Sequence, residues 1–159
     1  MKLGLISDTH GYLHPRIHAL FNDVDEILHA GDLDTEDVLL ELRAIAPVAA
    51  VRGNMDTHGR AALHRQMLVQ VYDGVRIFVV HDLGLPQNLK PSVAEALRQH
   101  EPQIVVFGHT HVPYWAQHGE ILYINPGSAS KGRQGSLPSV ALLNIVNGQI
   151  TGHHYQLDT

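Results

Sequence analysis

Seven residues of this 159-residue chain stand out as metal-type ligands: Asp8, His10, Asp32, Asn54, His81, His109 and His111. They fall in short groups, Asp8-Thr9-His10, Gly31-Asp32, Gly53-Asn54, His81 and Gly108-His109-Thr110-His111, most of them beside a glycine and after an apolar run. Glycine clears space for close backbone approach, so such groups can gather into one pocket. Seven oxygen and nitrogen donors exceed the needs of one closed tetrahedral site. They suit two ions sharing a carboxylate, an arrangement that serves hydrolysis. With no cysteine, thiolate ligands, disulfides and a cysteine nucleophile are excluded. Imidazole, carboxylate and amide donors favour Mn, Fe, Ni, Co or Zn.

Each group also has a bland reading. Asp8-Thr9-His10 alone reads as a solvated turn before Gly11, and His109-Thr110-His111 as a polar loop closed by Pro113. In extended backbone, residues two apart face the same side, so each pair could aim two side chains at one point. Asp32 could be a turn residue; as a ligand it is the natural bridge, one oxygen to each ion. Asp34 reads as a helix cap. Asn54 alone is a β-turn residue; with the others it offers an amide oxygen to an ion and its NH₂ to a phosphoryl group. His81 alone would be a buried, hydrogen-bonded core residue. Asn125-Pro126-Gly127-Ser128 is a turn that could also line the pocket rim. Most of the remaining histidines read as surface or packing residues.

Strands and helices must bring these residues together. Leu3–Ser7, Glu26–His29 and Val48–Val51 read as buried strands alternating with helices at Pro15–Phe21 and Thr35–Ile45. That order implies a parallel sheet with right-handed crossovers. Hairpins follow at Asp73-Gly74, Gly119-Glu120 and Asn147-Gly148. Between them lie a helix opening at Pro91, with Ser92 and Glu95 as a capping box, and a buried strand at Ile104–Phe107. The expected fold is α/β, a single domain over residues 1–159 built as a four-layer αββα sandwich of two mixed sheets flanked by helices. Ligands of such sheets collect beyond the carboxyl ends of strands, where these four strands and a fifth, Val75–Val80, which ends at His81, place theirs.

Composition agrees with a globular chain, 44% hydrophobic and 17% charged. A net charge of −5 without a basic cluster disfavours long nucleic acid as partner. No apolar stretch approaches the roughly 20 residues of a membrane span, and the N-terminal run is too short for a signal peptide. A cytoplasmic protein is expected. Exposed strand edges in the second half leave room for a homo-oligomer.

Taken in order, these motifs together with Asn125-Pro126-Gly127-Ser128 resemble the calcineurin-like metallophosphoesterases, specifically their small YfcE-like branch. The resemblance spans nearly the whole chain. It implies one ion between Asp8, His10, Asp32 and His111, and a second between Asp32, Asn54, His81 and His109. It also implies an αββα fold and metal-dependent hydrolysis of small phosphate esters, often diesters, with Mn first and Ni, Fe or Zn as alternatives. The attacking group would be a hydroxide shared by ions about 3.5–4 Å apart, with Asp32 and Asn54 as the catalytic residues. Two positions depart from the pattern. Met55 stands where many relatives carry a proton-donating His, a loss typically costing about 10²–10⁴-fold; His58 is the nearby substitute, or an ordinary loop residue. His81-Asp82-Leu83 replaces the family's His-Gly-His. A phosphomonoesterase, or a non-catalytic scaffold such as the retromer subunit of this fold, is the rival expectation.

Overall fold

A computed structural model describes residues 1–57, 59 and 63–158. The first strand, β1 (Lys2–Ile6), pairs in parallel with β2 (Glu26–His29), which pairs in parallel with β3 (Val48–Ala50). The connections run through α1 (Arg16–Leu20) and α2 (Glu36–Arg43). On the other side of β1, β11 (Ser139–Val146) and β12 (Gln149–Gln156) add antiparallel, giving the order β12-β11-β1-β2-β3. A second five-stranded sheet has the order β4-β5-β8-β10-β9. Its members are β4 (Met67–Tyr72), β5 (Val75–Val80), β8 (Ile104–Val106), β9 (Tyr114–His118) and β10 (Ile121–Asn125). β5, β8 and β10 run parallel, and β4 and β9 close the edges antiparallel. Both sheets are mixed, as the hairpin pattern implied.

The hairpin residues explain their turns. Asp73-Gly74 and Asn147-Gly148 each carry two positive φ angles, the pattern of a type I′ turn. Period-two alternation sends Leu3, Leu5 and Leu28 toward Ile77, Val79, Val106 and Ile124 of the second sheet. The opposite face of the first sheet, with Ile6 and Ile27, packs on Ile17, Phe21, Val38 and Leu42 of the α1–α2 layer. Phe78, Val80 and Val105 meet Val93 and Leu97 of α3 (Pro91–His100) on the far side. Four layers result, helix, sheet, sheet, helix. A small ribbon, β6 (Gly84–Leu85) with β7 (Asn88–Leu89), leads into α3.

Two capping expectations are corrected. Ser92 does not open α3: Pro91 takes the first helical position, where its missing N–H costs nothing, and Lys90 is the cap residue without a side-chain cap bond. Glu95 instead meets Arg98 and Gln99. Asp34 does not cap α2 either. Thr35 holds that position, also without a side-chain bond, and Asp34 is committed to His10.

Candidate metal centre

The carboxyl ends of β1, β2, β3, β5 and β8 come to one edge of the sandwich. Short loops there carry the seven residues. Asp8, His10, Asp32, Asp34, His109 and His111 all have φ between 48° and 72°. Left-handed backbone is uncommon outside glycine and costs roughly 1–2 kcal/mol per residue. The paired ligands therefore do not converge through extended backbone, as their spacing suggested. Tight turns converge them, pinned by bonds between loops: Asp8 N–H to Gly31 O at 2.9 Å, His10 N–H to Asp32 O at 3.0 Å, and Gly108 N–H to His81 O at 3.0 Å.

Two close donor sets result. One atom from each of Asp8, His10 and His111 lies within 4.8 Å of the others, as does one from each of Asp8, Asp32 and His81. Asp8 Oδ1 stands 3.2 Å from His111 Nε2 and 3.8 Å from both His10 Nε2 and His81 Nε2. Asp32 Oδ2 stands 3.3 Å from His81 Nε2 and 3.8 Å from His10 Nε2, facing both sets. Asn54 Oδ1 lies 2.9 Å from His81 Nε2. His109 is not drawn into either set. Its half-exposed ring stands 5.4 Å from that of His81, with Nε2 3.7 Å from Asp82 Oδ2.

The surroundings decide which atoms face the centre. His10 Nδ1 donates to Asp34 Oδ2 (3.1 Å), His81 Nδ1 to Ala30 O (2.7 Å), and His111 Nδ1 to Lys131 O (2.9 Å). With the proton on Nδ1, each Nε2 turns a lone pair inward, the tautomer a metal ligand needs. His10 Nε2 and His111 Nε2 then face each other at 3.3 Å. Two lone pairs at that distance require a cation or a proton between them. Asp8 is fully buried; its Oδ2 accepts from Ser7 Oγ and the His109 N–H, while its Oδ1 has no hydrogen-bond partner. An orphaned buried carboxylate oxygen costs roughly 1–3 kcal/mol or more, and it points at the same imidazoles. These N and O donors fit a borderline divalent ion.

Charge tells the same story. Burial opposes the charges on Asp8 and Asp32. The facing histidines, with Ser7 for Asp8 and the Met55 N–H for Asp32, outweigh it and hold both carboxyls below the usual range. Burial also opposes a charge on His81, yet Asp32 and Asp8 raise its pKa above the ordinary imidazole value. The pocket favours positive charge at the point where the donors meet.

The two oxygens of Asp32 face different partners. Its Oδ1 accepts the Met55 N–H at 2.7 Å, so one oxygen, Oδ2, faces both sets. Glycine makes this packing possible. A Cβ on Gly53 would lie 2.1 Å from Asp32 Oδ1, one on Gly108 2.0 Å from Ser7 Oγ, and one on Gly31 2.7 Å from His81 Nδ1.

Other residues complete the frame. Asn125 donates to Gly108 O and Thr110 Oγ1, bracing the His109 loop, and Ser128 and Ser130 both donate to Asp8 O. His29 is a packing residue, as read: it accepts the Gly31 N–H and meets Thr9 Oγ1. Met55 lies exposed, and His58 falls outside the described residues. Asp56 was missed by sequence reasoning. Its buried carboxylate accepts N–H groups from Asp32, Asp34 and Gly53, tying the loops after β2 and β3 together. Its one signal is placement three residues after Gly53, where a turn carboxylate can bond local backbone.

Comparison with known proteins gives this geometry a family. Residues 1–148 match the model of the calcineurin-like phosphoesterase superfamily domain. The chain belongs to that superfamily. A probable metallophosphoesterase of Methanothermobacter thermautotrophicus is 33% identical over 150 residues, covering 91% of this chain and 86% of its own. Phosphodiesterase YfcE of Escherichia coli K12 is 33% identical over 171 residues, covering 91% and 88%. Zinc-complexed Vps29 from Entamoeba histolytica shares the fold, with a TM-score of 0.74, 23% identity and coverage of 99% and 100%. Membership implies a hydrolase that uses divalent metal. Among the described residues, no helix is long and apolar enough to cross a membrane.

Proposed function

We propose that the protein is a dinuclear metal-dependent phosphodiesterase acting on small phosphate esters, with manganese as its working ion. Asp8, His10, Asp32 and His111 would hold one ion, and Asp32, Asn54 and His81 the other, with His109 beside His81 completing that set. The observation that carries the reading is the convergence of three imidazoles, each fixed through Nδ1, on two buried carboxylates of which one keeps an unpartnered oxygen. Relatives named as phosphodiesterases support the diester preference.

When bound, such an ion pair supplies Lewis acidity and lowers the pKa of water toward neutrality. The chain supplies position. Asp34, Ala30 O and Lys131 O keep the imidazole protons outside the site. Asn54 directs its oxygen at His81, leaving its NH₂ to donate to a phosphoryl oxygen as charge develops there. Met55 has no proton to give a departing alcohol, so esters of acidic alcohols should react best. The net charge of −5 argues against long nucleic acid as the substrate.

Chelated protein reconstituted with manganese should bind two ions per chain and hydrolyse bis(p-nitrophenyl) phosphate. Asp32→Asn should lose both properties. Equal turnover by that variant, or none by wild type with any of Mn, Ni, Fe or Zn, would overturn the proposal.

A further inference from the structure

A cavity of about 300 Å³ opens beside the metal centre and shares two of its walls, Asn54 and His81. Its lining also includes Arg52, Gln66, Asp82, Lys90 and Ser92 beside apolar Met67, Val80 and Val93. A phosphate held at the centre by Asn54 would direct one ester arm into this space. The volume admits a compact group. Among the described residues, the lining contains no Phe, Tyr or Trp, so it lacks the stacking platform on which nucleobases are commonly held.

Lys90 gives the cavity its chemistry. Its ammonium donates to Asp82 Oδ2 at 2.6 Å, and Asp82 Oδ1 is itself held by the Gly84 N–H at 3.0 Å. The Lys90 backbone is fixed by its N–H bond to Leu83 O at 2.9 Å. Asp82 engages one of three ammonium N–H groups of this half-exposed side chain, leaving two donors. Ser92 adds a hydroxyl to the lining.

The geometry points to a specificity subsite: Lys90, anchored by Asp82, selects phosphodiesters whose second arm carries another anionic group, a carboxylate or a phosphate. This inference rests on the phosphodiesterase reading and names its substrate class. The test uses the manganese-loaded protein and four p-nitrophenyl phosphodiesters whose second arm is ethyl, 2-carboxyethyl, 2-phosphoethyl or 5′-thymidyl. One added charge-assisted hydrogen bond should raise kcat/KM for the anionic arms about tenfold over ethyl. The carboxyethyl and phosphoethyl arms decide between the two anions. Within Lys90→Gln the ratio should fall toward one, and Lys90→Arg should keep most of it. Calorimetry gives a readout without turnover: 3-phosphonopropionate should bind tighter than propylphosphonate by a similar factor, again lost in Lys90→Gln. Turnover of the ethyl diester without anionic preference would overturn the subsite while sparing the phosphodiesterase. Preference for the thymidyl arm alone would make the cavity a nucleoside pocket and also overturn it. No turnover of any of the four would overturn both readings.

Discussion

Replacing Asp56 with Asn tests whether the site is held from behind. Asp56 Oδ2 accepts N–H groups from Asp32 and Gly53, each at 2.9 Å, and Oδ1 accepts that of Asp34 at 2.8 Å. The residue is 1% exposed, so water cannot replace a lost acceptor. In the variant, the amide oxygen can keep the Oδ2 pair, but the NH₂ then faces the Asp34 N–H. That leaves one unsatisfied donor, worth roughly 1–3 kcal/mol, and turns two charge-assisted bonds into neutral ones. Relief of the buried charge offsets part of this, and a net loss of about 3 kcal/mol is expected. For a chain of this size the melting temperature should fall by about 6–12 °C. Because Asp34 orients His10 and Asp32 faces both donor sets, manganese affinity should also fall, by about 10–100-fold. Differential scanning calorimetry and manganese titration measure the two effects, with exposed Asp37→Asn as control. A variant that melts with wild type and binds manganese equally would refute the claim that Asp56 ties the loops.

Gly53→Ala places a methyl 2.1 Å from Asp32 Oδ1 and 2.4 Å from Asp32 N; it should fold, by circular dichroism, yet lose the second ion by elemental analysis. Asp34→Ala releases His10 Nδ1, and manganese affinity should drop about tenfold or more, read by calorimetry. Burial lowers the pKa of His29 to about 4, from 6.5. The unfolded chain therefore binds more protons between these values, and stability should rise with pH from about 4 to 6.5 and be lost as pH falls through that window. The contribution is at most about 3 kcal/mol. Urea melts in chelator at pH 7 and pH 5 should show a shallower acid loss in His29→Asn than in wild type; identical slopes would show that His29 does not titrate this way.

The layers were legible because hydrophobic alternation and turn pairs are local signals. Asp73-Gly74 and Asn147-Gly148 dictate their hairpins, and Leu3, Leu5, Ile77 and Val79 declare a buried face. Asp8, His10, Asp32, His81 and His111 were legible because each follows a strand whose end could be counted. What escaped depends on contacts between loops distant in sequence. Asp34 looked like a cap because it precedes a helix; only the fold puts His10 within its reach. Asp56 gave no distinct local signal beyond its place after Gly53, although three backbone donors from two loops converge on it. Ser92 and Glu95 had capping-box spacing, but Pro91 fixed the helix start two residues earlier than a Ser92 cap would. His109 had the same motif as His111, yet its ring stands outside the close sets.

The cost of the site bears on catalysis against pure scaffolding. Six of its residues hold left-handed backbone, two buried carboxylate oxygens, Asp8 Oδ1 and Asp34 Oδ1, lack a partner, and two imidazole nitrogens face each other at 3.3 Å. Strain of this kind persists only where surrounding structure enforces it, and here Asp56, Ser128, Ser130 and Asn125 do so. A docking surface presents exposed side chains and needs none of these buried arrangements. On the proposed reading, divalent cations would offset the facing lone pairs of His10 and His111 and satisfy the open oxygen of Asp8. On the same reading, such a site, open to solvent at His109 and adjoining the cavity at Lys90, would serve as a reaction centre with a substrate approach rather than as a closed structural ion site.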